Sequence, residues 1–221
     1  RSISTDCIEL IFAALQDDFQ KCQEHRFNAF AITGGAGQHL DVLRQTQRQA
    51  QKIAAVNAMG RSLAASLDLP TICRTAYQHV RQLVNCDNLG ISLLDDSAST
   101  LRAVYILSDG EELDVSLLPP LVFEPQQALN GRAKAAVEGQ TVVVNDLSAK
   151  RQQRGGILVG DSREPESAAY TPMVVEGKVI GLLELQSYRN HAYREDDLDL
   201  LSMIANQIGL AIQNALLFSD V

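Results

Sequence analysis

Along the chain the spacing of apolar residues changes from helical to strand-like and back. Between residues 6 and 27, Cys7, Ile8, Ile11, Phe12, Leu15 and Phe19 recur at three-to-four spacing, which predicts a helix. Asp6 stands at its start as an N-cap, with Glu9 three residues on. From about 38 to 66 a second helix is predicted, polar over most of its surface and carrying Arg44, Gln45, Gln47, Arg48, Gln49, Gln51 and Lys52. Ile53, Val56, Leu63 and Leu67 form a heptad-like seam along it, weakened by Gly60. So polar a helix needs a partner along its stripe. Asp68-Leu69-Pro70 opens a third helix, with Leu69, Ile72, Cys73, Ala76, Val80 and Leu83 on its buried side.

After Asn85 the period shortens. "LGISLLD" (89–95), a polar turn and "TLRAVYIL" (100–107) predict a hairpin, and "LVFE" a third strand. "QALNGRAKAAVEG" is a short helix closed by Gly139, followed by the strand "QTVVVNDL". Residues 148–167 are polar and glycine-bearing, a length typical of a lid or binding loop. "SAAYTPMVVEGKVIGLLELQS" reads as two strands hinged at Glu176-Gly177. The segment from Arg194 to Phe218 closes as a long helix, with acids in its first turns where the helix dipole favours them. Strands joined mainly by hairpins make an antiparallel sheet with helices on one face, an α+β layer rather than a doubly wound parallel sheet.

Composition removes several function classes. The 221 residues carry a net charge of −8, which argues against nucleic acid as a partner. No uninterrupted apolar run has bilayer-spanning length, so no membrane partner is expected. The chain starts at Arg1 without a signal-peptide pattern, which suggests a piece of a longer protein. Cys7, Cys22, Cys73 and Cys86 form no C-x-x-C pair and do not cluster with histidines, which fits a reducing cytoplasm better than a metal or disulfide framework.

"AFAITGGAGQHL" (29–40) has the look of a dinucleotide-binding loop. The third glycine of that fingerprint would fall at Leu40, and no strand follows until after residue 85. The stretch is better read as a joint. The expected organisation is an N-terminal helical segment with this joint (1–37), a signalling or dimerisation helix (38–66) and a sensory domain (67–221).

Three segments, "ALNGRAKAAVEGQTVVVNDL", "YTPMVVEGKVIGLLELQS" and "HAYREDDLDLLSMIANQIGLAIQNA", resemble the GAF family of sensory domains in their order and spacing. The resemblance covers roughly residues 67–218. It implies a central antiparallel sheet of five or six strands with helices behind it and a pocket on the other side, long N- and C-terminal helices included. Members sense cyclic nucleotides, tetrapyrroles, amino acids or other small metabolites, and many serve as ligand-free dimerising spacers. In "YTPMVVEGKVIGLLELQS", Gly181 lets the strand pack closely.

The resemblance also implies what is missing. A related methionine sulfoxide reductase relies on cysteines around lid and pocket, and phytochrome-like members attach a bilin through a pocket cysteine. Here no cysteine follows Cys86, so no thiol catalysis and no covalent bilin are expected. The cofactor, if any, stays open. Haem-binding members use a histidine; His79 and His191 read as surface or packing residues. Of the pattern found in cyclic-nucleotide binders, Tyr193 and Asp197 survive in kind, whereas Gln186-Ser187 stands in place of Asn-Lys and Leu198 in place of the final Glu.

Ligand candidates on the exposed sheet face and lid are Tyr105, Phe123 and Tyr170 for stacking, Arg132 and Arg154 for an anionic group, and Asp146 as an acceptor. A homodimer is expected through the flanking helices, with Ile53, Val56 and Leu63 meeting Leu201, Ile204, Ile208, Ala211 and Ala215. The partners are then a second copy, a small-molecule ligand and an attached output domain in a cytoplasmic signalling protein.

Overall fold

The computed structural model describes residues 41–95, 99–123, 130–147 and 163–219. The predicted helix at 6–27, the glycine joint, Cys7, Cys22 and the central part of the long loop lie outside them. The chain divides into two compact units between Gln51 and Lys52. In the first, the described residues 41–51 are helical and exposed.

In the second unit, helix continues through residue 63 (α1, residues 41–63) and contributes Val56, Met59 and Leu63 to the core. Helix α2 (Leu69–Leu83) begins where Asp68 accepts a hydrogen bond from the Thr71 amide at 3.0 Å, with proline in the first turn. Strands β1 (Asn88–Leu94) and β2 (Thr100–Ser108) form the first hairpin. The edge strands β3 (Glu111–Glu112) and β4 (Leu121–Val122) both pair with β2. Helix α3 (Gly131–Glu138) is capped by the Asn130 side chain and ends at Gly139 in the left-handed region, φ 64°. Then come β5 (Val142–Val144), β6 (Ser167–Val175), β7 (Lys178–Ser187) and α4 (Leu198–Ser219).

The sheet order is β3-β2-β1-β7-β6-β5, with β4 beside β2, and every pair is antiparallel. That makes seven strands, one more than the six outlined by the pattern, because Glu111-Glu112 adds a two-residue edge beside β2. The β6–β7 turn is Glu176-Gly177, with φ of 50° and 77°. Both central residues are left-handed, as the twist of a two-residue hairpin demands. Gly181 is required by packing, since a Cβ there would lie 2.2 Å from the Ser92 carbonyl oxygen.

The core sits mainly on one face. Val56, Met59 and Leu63 of α1, Ile72, Ala76 and Val80 of α2, and Leu201, Ile204 and Ile208 of α4 pack with Leu89, Ile91, Leu183 and Leu185 of the sheet. Gln207 of α4 rests on Gly60 of α1, and Lys52 reaches Asp197 at 3.9 Å, so the two helices run in the same direction. Gly60, which weakens the heptad in sequence, is the space that Gln207 occupies.

This packing corrects the expected dimer seam. Val56, Leu63, Leu201, Ile204, Ile208, Ala211 and Ala215 are all buried inside the chain, and of the eight proposed residues only Ile53 is exposed, at 42%. The periodic stripe is satisfied by the chain's own helices and sheet before any second copy is needed. One helical segment, Glu195–Phe218, is nevertheless long and apolar enough by length and composition to cross a membrane, with a mean hydropathy of 1.4 over its most apolar 18-residue window, half of which is buried within the protein. A core helix passes the same compositional test.

Candidate functional site

Alternation along the strands sends Leu89, Ile91, Leu183 and Leu185 into the helix-side core and their neighbours to the opposite face. There the register aligns Ile106, Gly90, Glu184 and Tyr170 in one row across β2, β1, β7 and β6. Helix α3 lies over one end of this face. Its Ala133, Ala135 and Ala136 pack with Leu101, Leu182 and Phe123, and Tyr170 packs against the same cluster. The Tyr170 ring is pressed on Gly131, where a Cβ would lie 2.5 Å from the ring, so the first residue of α3 must be glycine.

That contact delivers the next residue, Arg132, to the row. Its Nε donates to Glu184 Oε2 at 2.6 Å, and its guanidinium stands 6.0 Å from the Tyr170 ring centre. Ser92 Oγ donates to the other oxygen, Oε1, at 3.3 Å. The Glu184 side chain is 9% exposed whereas that of Arg132 is 42% exposed, so a buried carboxylate holds a half-open guanidinium. Attraction to Glu184 raises the Arg132 pKa further above its ordinary value, and burial raises that of Tyr170. Among the described residues, no other hydrogen bond reaches the Arg132 guanidinium.

The six sequence candidates separate. Arg132, Tyr170 and Phe123 share this face, Phe123 as part of its packed end. Tyr105 belongs to the helix-side core, because a shift of register near Ile91/Ser92 turns it that way; its hydroxyl donates to Glu112 at 3.3 Å, and burial raises its pKa. Asp146 is exposed beside Asn145, and Arg154 lies outside the described residues. Sequence reasoning overlooked Glu184, Ser92, Gly90 and Asn88. The available signal was Glu184 itself, a charge inside the apolar run "VIGLLELQ".

The residues that match a cyclic-nucleotide pattern are occupied by the fold. Tyr193 is buried and donates to the Asn85 carbonyl at 2.9 Å. Asp197 accepts from the Arg194 amide at 3.1 Å. Asn145 exchanges two bonds with the Tyr193 backbone, at 2.7 and 3.3 Å, and so pins the loop before α4. A polar groove of about 310 Å³ lies near this loop, lined by Arg81, Asn85, Tyr193 and Asp197. Among the described residues no group of His, Cys, Asp and Glu is placed to hold a metal.

A seven-stranded antiparallel sheet, with three helices behind it and a charged pair on its other face, defines a small α+β domain. The chain belongs to the GAF domain family, whose profile matches residues 66–213. It is 24% identical over 194 residues to the circadian input-output histidine kinase CikA of Synechococcus elongatus, covering 81% of this chain and a quarter of the kinase's length. Among solved structures, it resembles the GAF domain of an Acinetobacter phosphoenolpyruvate-protein phosphotransferase, with a TM-score of 0.59, 15% identity and 77% and 98% of the two chains covered. It also resembles the free methionine-R-sulfoxide reductase of Neisseria meningitidis determined with its substrate, with a TM-score of 0.57, 17% identity and 77% and 93% coverage. At these identities the structural likenesses speak for the fold.

Proposed function

We propose that this chain is a non-catalytic, small-molecule-sensing module of a cytoplasmic signalling protein, whose ligand binds on the sheet face that carries Arg132, Glu184 and Tyr170. GAF domains are typically sensory or regulatory modules, and the curated relative is a histidine kinase of which this region matches one part. The observation that carries the reading is the Arg132–Glu184 pair. A half-exposed guanidinium, oriented by a buried carboxylate and an aromatic ring, is built for polar recognition and is more than the fold needs at that place.

Absence of thiol catalysis is supported by the two cysteines among the described residues. Burial pushes Cys73 and Cys86 up to about 12, far from the thiolate that redox chemistry requires. The module passes its state to an attached output domain through α1 and α4, which run side by side. Such transfer requires a ligand with different affinity for two packings of these helices.

A homodimer remains part of the proposal, with a different seam. Leu210 and Leu217 are 46% and 63% exposed, seven residues apart on α4, and therefore lie on one side of that helix. The competing reading, a ligand-free scaffold, is favoured by one observation: side chains of α3, Leu101, Leu182 and Phe123 fill one end of the face themselves. A thermal-shift screen with nucleotides, tetrapyrroles, amino acids and organic acids decides, since a ligand of the native state raises stability by mass action. A hit abolished by Arg132→Met supports sensing at this face; silence across the screen supports the scaffold.

A further inference from the structure

Two strand glycines, Gly181 and Gly90, are present for opposite reasons. At Gly181 a side chain would collide with neighbouring backbone. At Gly90 the backbone is ordinary strand, and a Cβ would meet only the Glu184 side chain at 3.5 to 3.9 Å, normal contact distances. A glycine inside a strand weakens it through its conformational entropy and its missing side chain, and commonly marks a place where something approaches the backbone closely. Packing does not account for Gly90. What it creates is a bare patch of floor in the row that contains Glu184, partly open to solvent and walled on the other side by Ile106.

The groups around this bay have spare hydrogen-bond donors. Asn88 lies on the same strand and face as Gly90, about 7 Å along it. Its Oδ1 accepts from Ser108 Oγ and the Asp109 amide, each at 3.1 Å, and from the Tyr188 hydroxyl at 3.4 Å. The backbone donor fixes which end of the amide is oxygen, and among the described residues nothing is bonded to Nδ2. Arg132 brings its terminal N–H groups from the other side. The acceptors are already engaged, since Glu184 has one oxygen on Arg132 and the other on Ser92. The bay thus selects a molecule rich in acceptors.

We infer that the bay over Gly90 holds a small organic carboxylate, its acid group on the terminal N–H groups of Arg132 and a second acceptor on the Asn88 amide. A planar carboxylate matches the guanidinium edge. A phosphate, with its larger negative charge, is disfavoured more than a singly charged carboxylate, because Glu184 offsets the charge of Arg132 and the chain as a whole carries −8. This inference rests on the reading of that face as the sensor pocket.

The test uses the 221-residue chain with pyruvate, succinate and benzoate, each beside its neutral amide, together with inorganic phosphate, cyclic AMP and haemin. Thermal shift and equilibrium binding are measured for the wild type, Gly90→Ala, Gly90→Leu and Arg132→Met. At least one carboxylate should bind about tenfold or more tightly than its amide. Gly90→Leu should lose that binding, and Gly90→Ala should weaken it while melting no lower than the wild type. Full binding by both Gly90 variants overturns the bay. Equal binding of amide and acid, or preference for another probe, overturns the carboxylate class but leaves the sensor reading standing if Arg132→Met abolishes it. Binding indifferent to Arg132→Met, or no binding of any probe, overturns both.

Discussion

The two faces of one sheet differ in what their side chains are for. On the helix side, Ile72, Leu183, Leu201, Ile204 and Ile208 are completely buried, and α1, α2 and α4 leave no charged group among them. On the other side, a smaller apolar cluster under α3 gives way within one row to Glu184, Arg132 and the bare backbone of Gly90. The first face repays burial with stability, because apolar contact is non-directional and every residue adds to it. The second spends its positions on polar groups that hold one another in a fixed orientation, which contributes little to stability and much to recognition. Substitutions should therefore separate the faces, helix-side changes altering melting and opposite-side changes altering binding.

The largest effect is expected on the packed face. Ile204→Ala should cost about 2–5 kcal/mol of unfolding free energy in urea titration. A loss below about 1 kcal/mol would mean that the helix face is not the core. Because Ile204 and Ile208 are buried within the chain, charged substitutions there probe folding and cannot report on dimerisation.

Glu184→Gln should cost about 1–2 kcal/mol, less than a fully buried pair because Arg132 is half exposed. The same substitution should abolish any ligand-induced rise in melting temperature, and that split between a small stability loss and a complete binding loss is the mark of the second face. The double variant Leu210→Glu, Leu217→Glu changes only exposed positions and should alter stability by no more than about 0.5 kcal/mol per site. By sedimentation it should run as a monomer where the wild type is a dimer; an unchanged dimer rejects this side of α4.

Glu176→Asn should stabilise by about 0.5 kcal/mol, since Glu176 occupies a left-handed turn position that asparagine tolerates better. The smallest effect concerns acid. Hydrogen bonds from Arg74 hold Glu112 below the usual carboxylate range, so its contribution is complete above that range and is lost as pH falls through the lowered value. Glu112→Gln should flatten the acid limb of a melting-temperature profile slightly, without changing binding at the other face.

Much of this architecture was legible from local pattern. The strands at 89–95 and 100–107, the Glu176-Gly177 hinge, the glycine end of α3 and the proline-opened α2 all rest on short-range rules of period, turn and cap. The same rules cannot say which surface an apolar stripe meets. The seam of Val56, Leu63, Ile204 and Ile208 has the period of a dimer interface and of a core alike, and only the packed chain chooses the core. Nor does period place a residue beyond an irregularity: simple alternation puts Tyr105 on the open face, and the register shift between β1 and β2 turns it into the helix-side core.

The candidate site shows the same division. By itself the sequence determined the family-like order of elements, the acidic net charge and the presence of Arg132 at the start of a short helix, because these follow from residues a few positions apart. Tertiary structure alone decided that Arg132 meets Glu184, fifty-two residues away, and that Gly90 pairs with Glu184 in the same row. Such a site is made by strand register and by one helix resting on a tyrosine ring. Those are contacts between segments whose separation in sequence carries no trace of their separation in space.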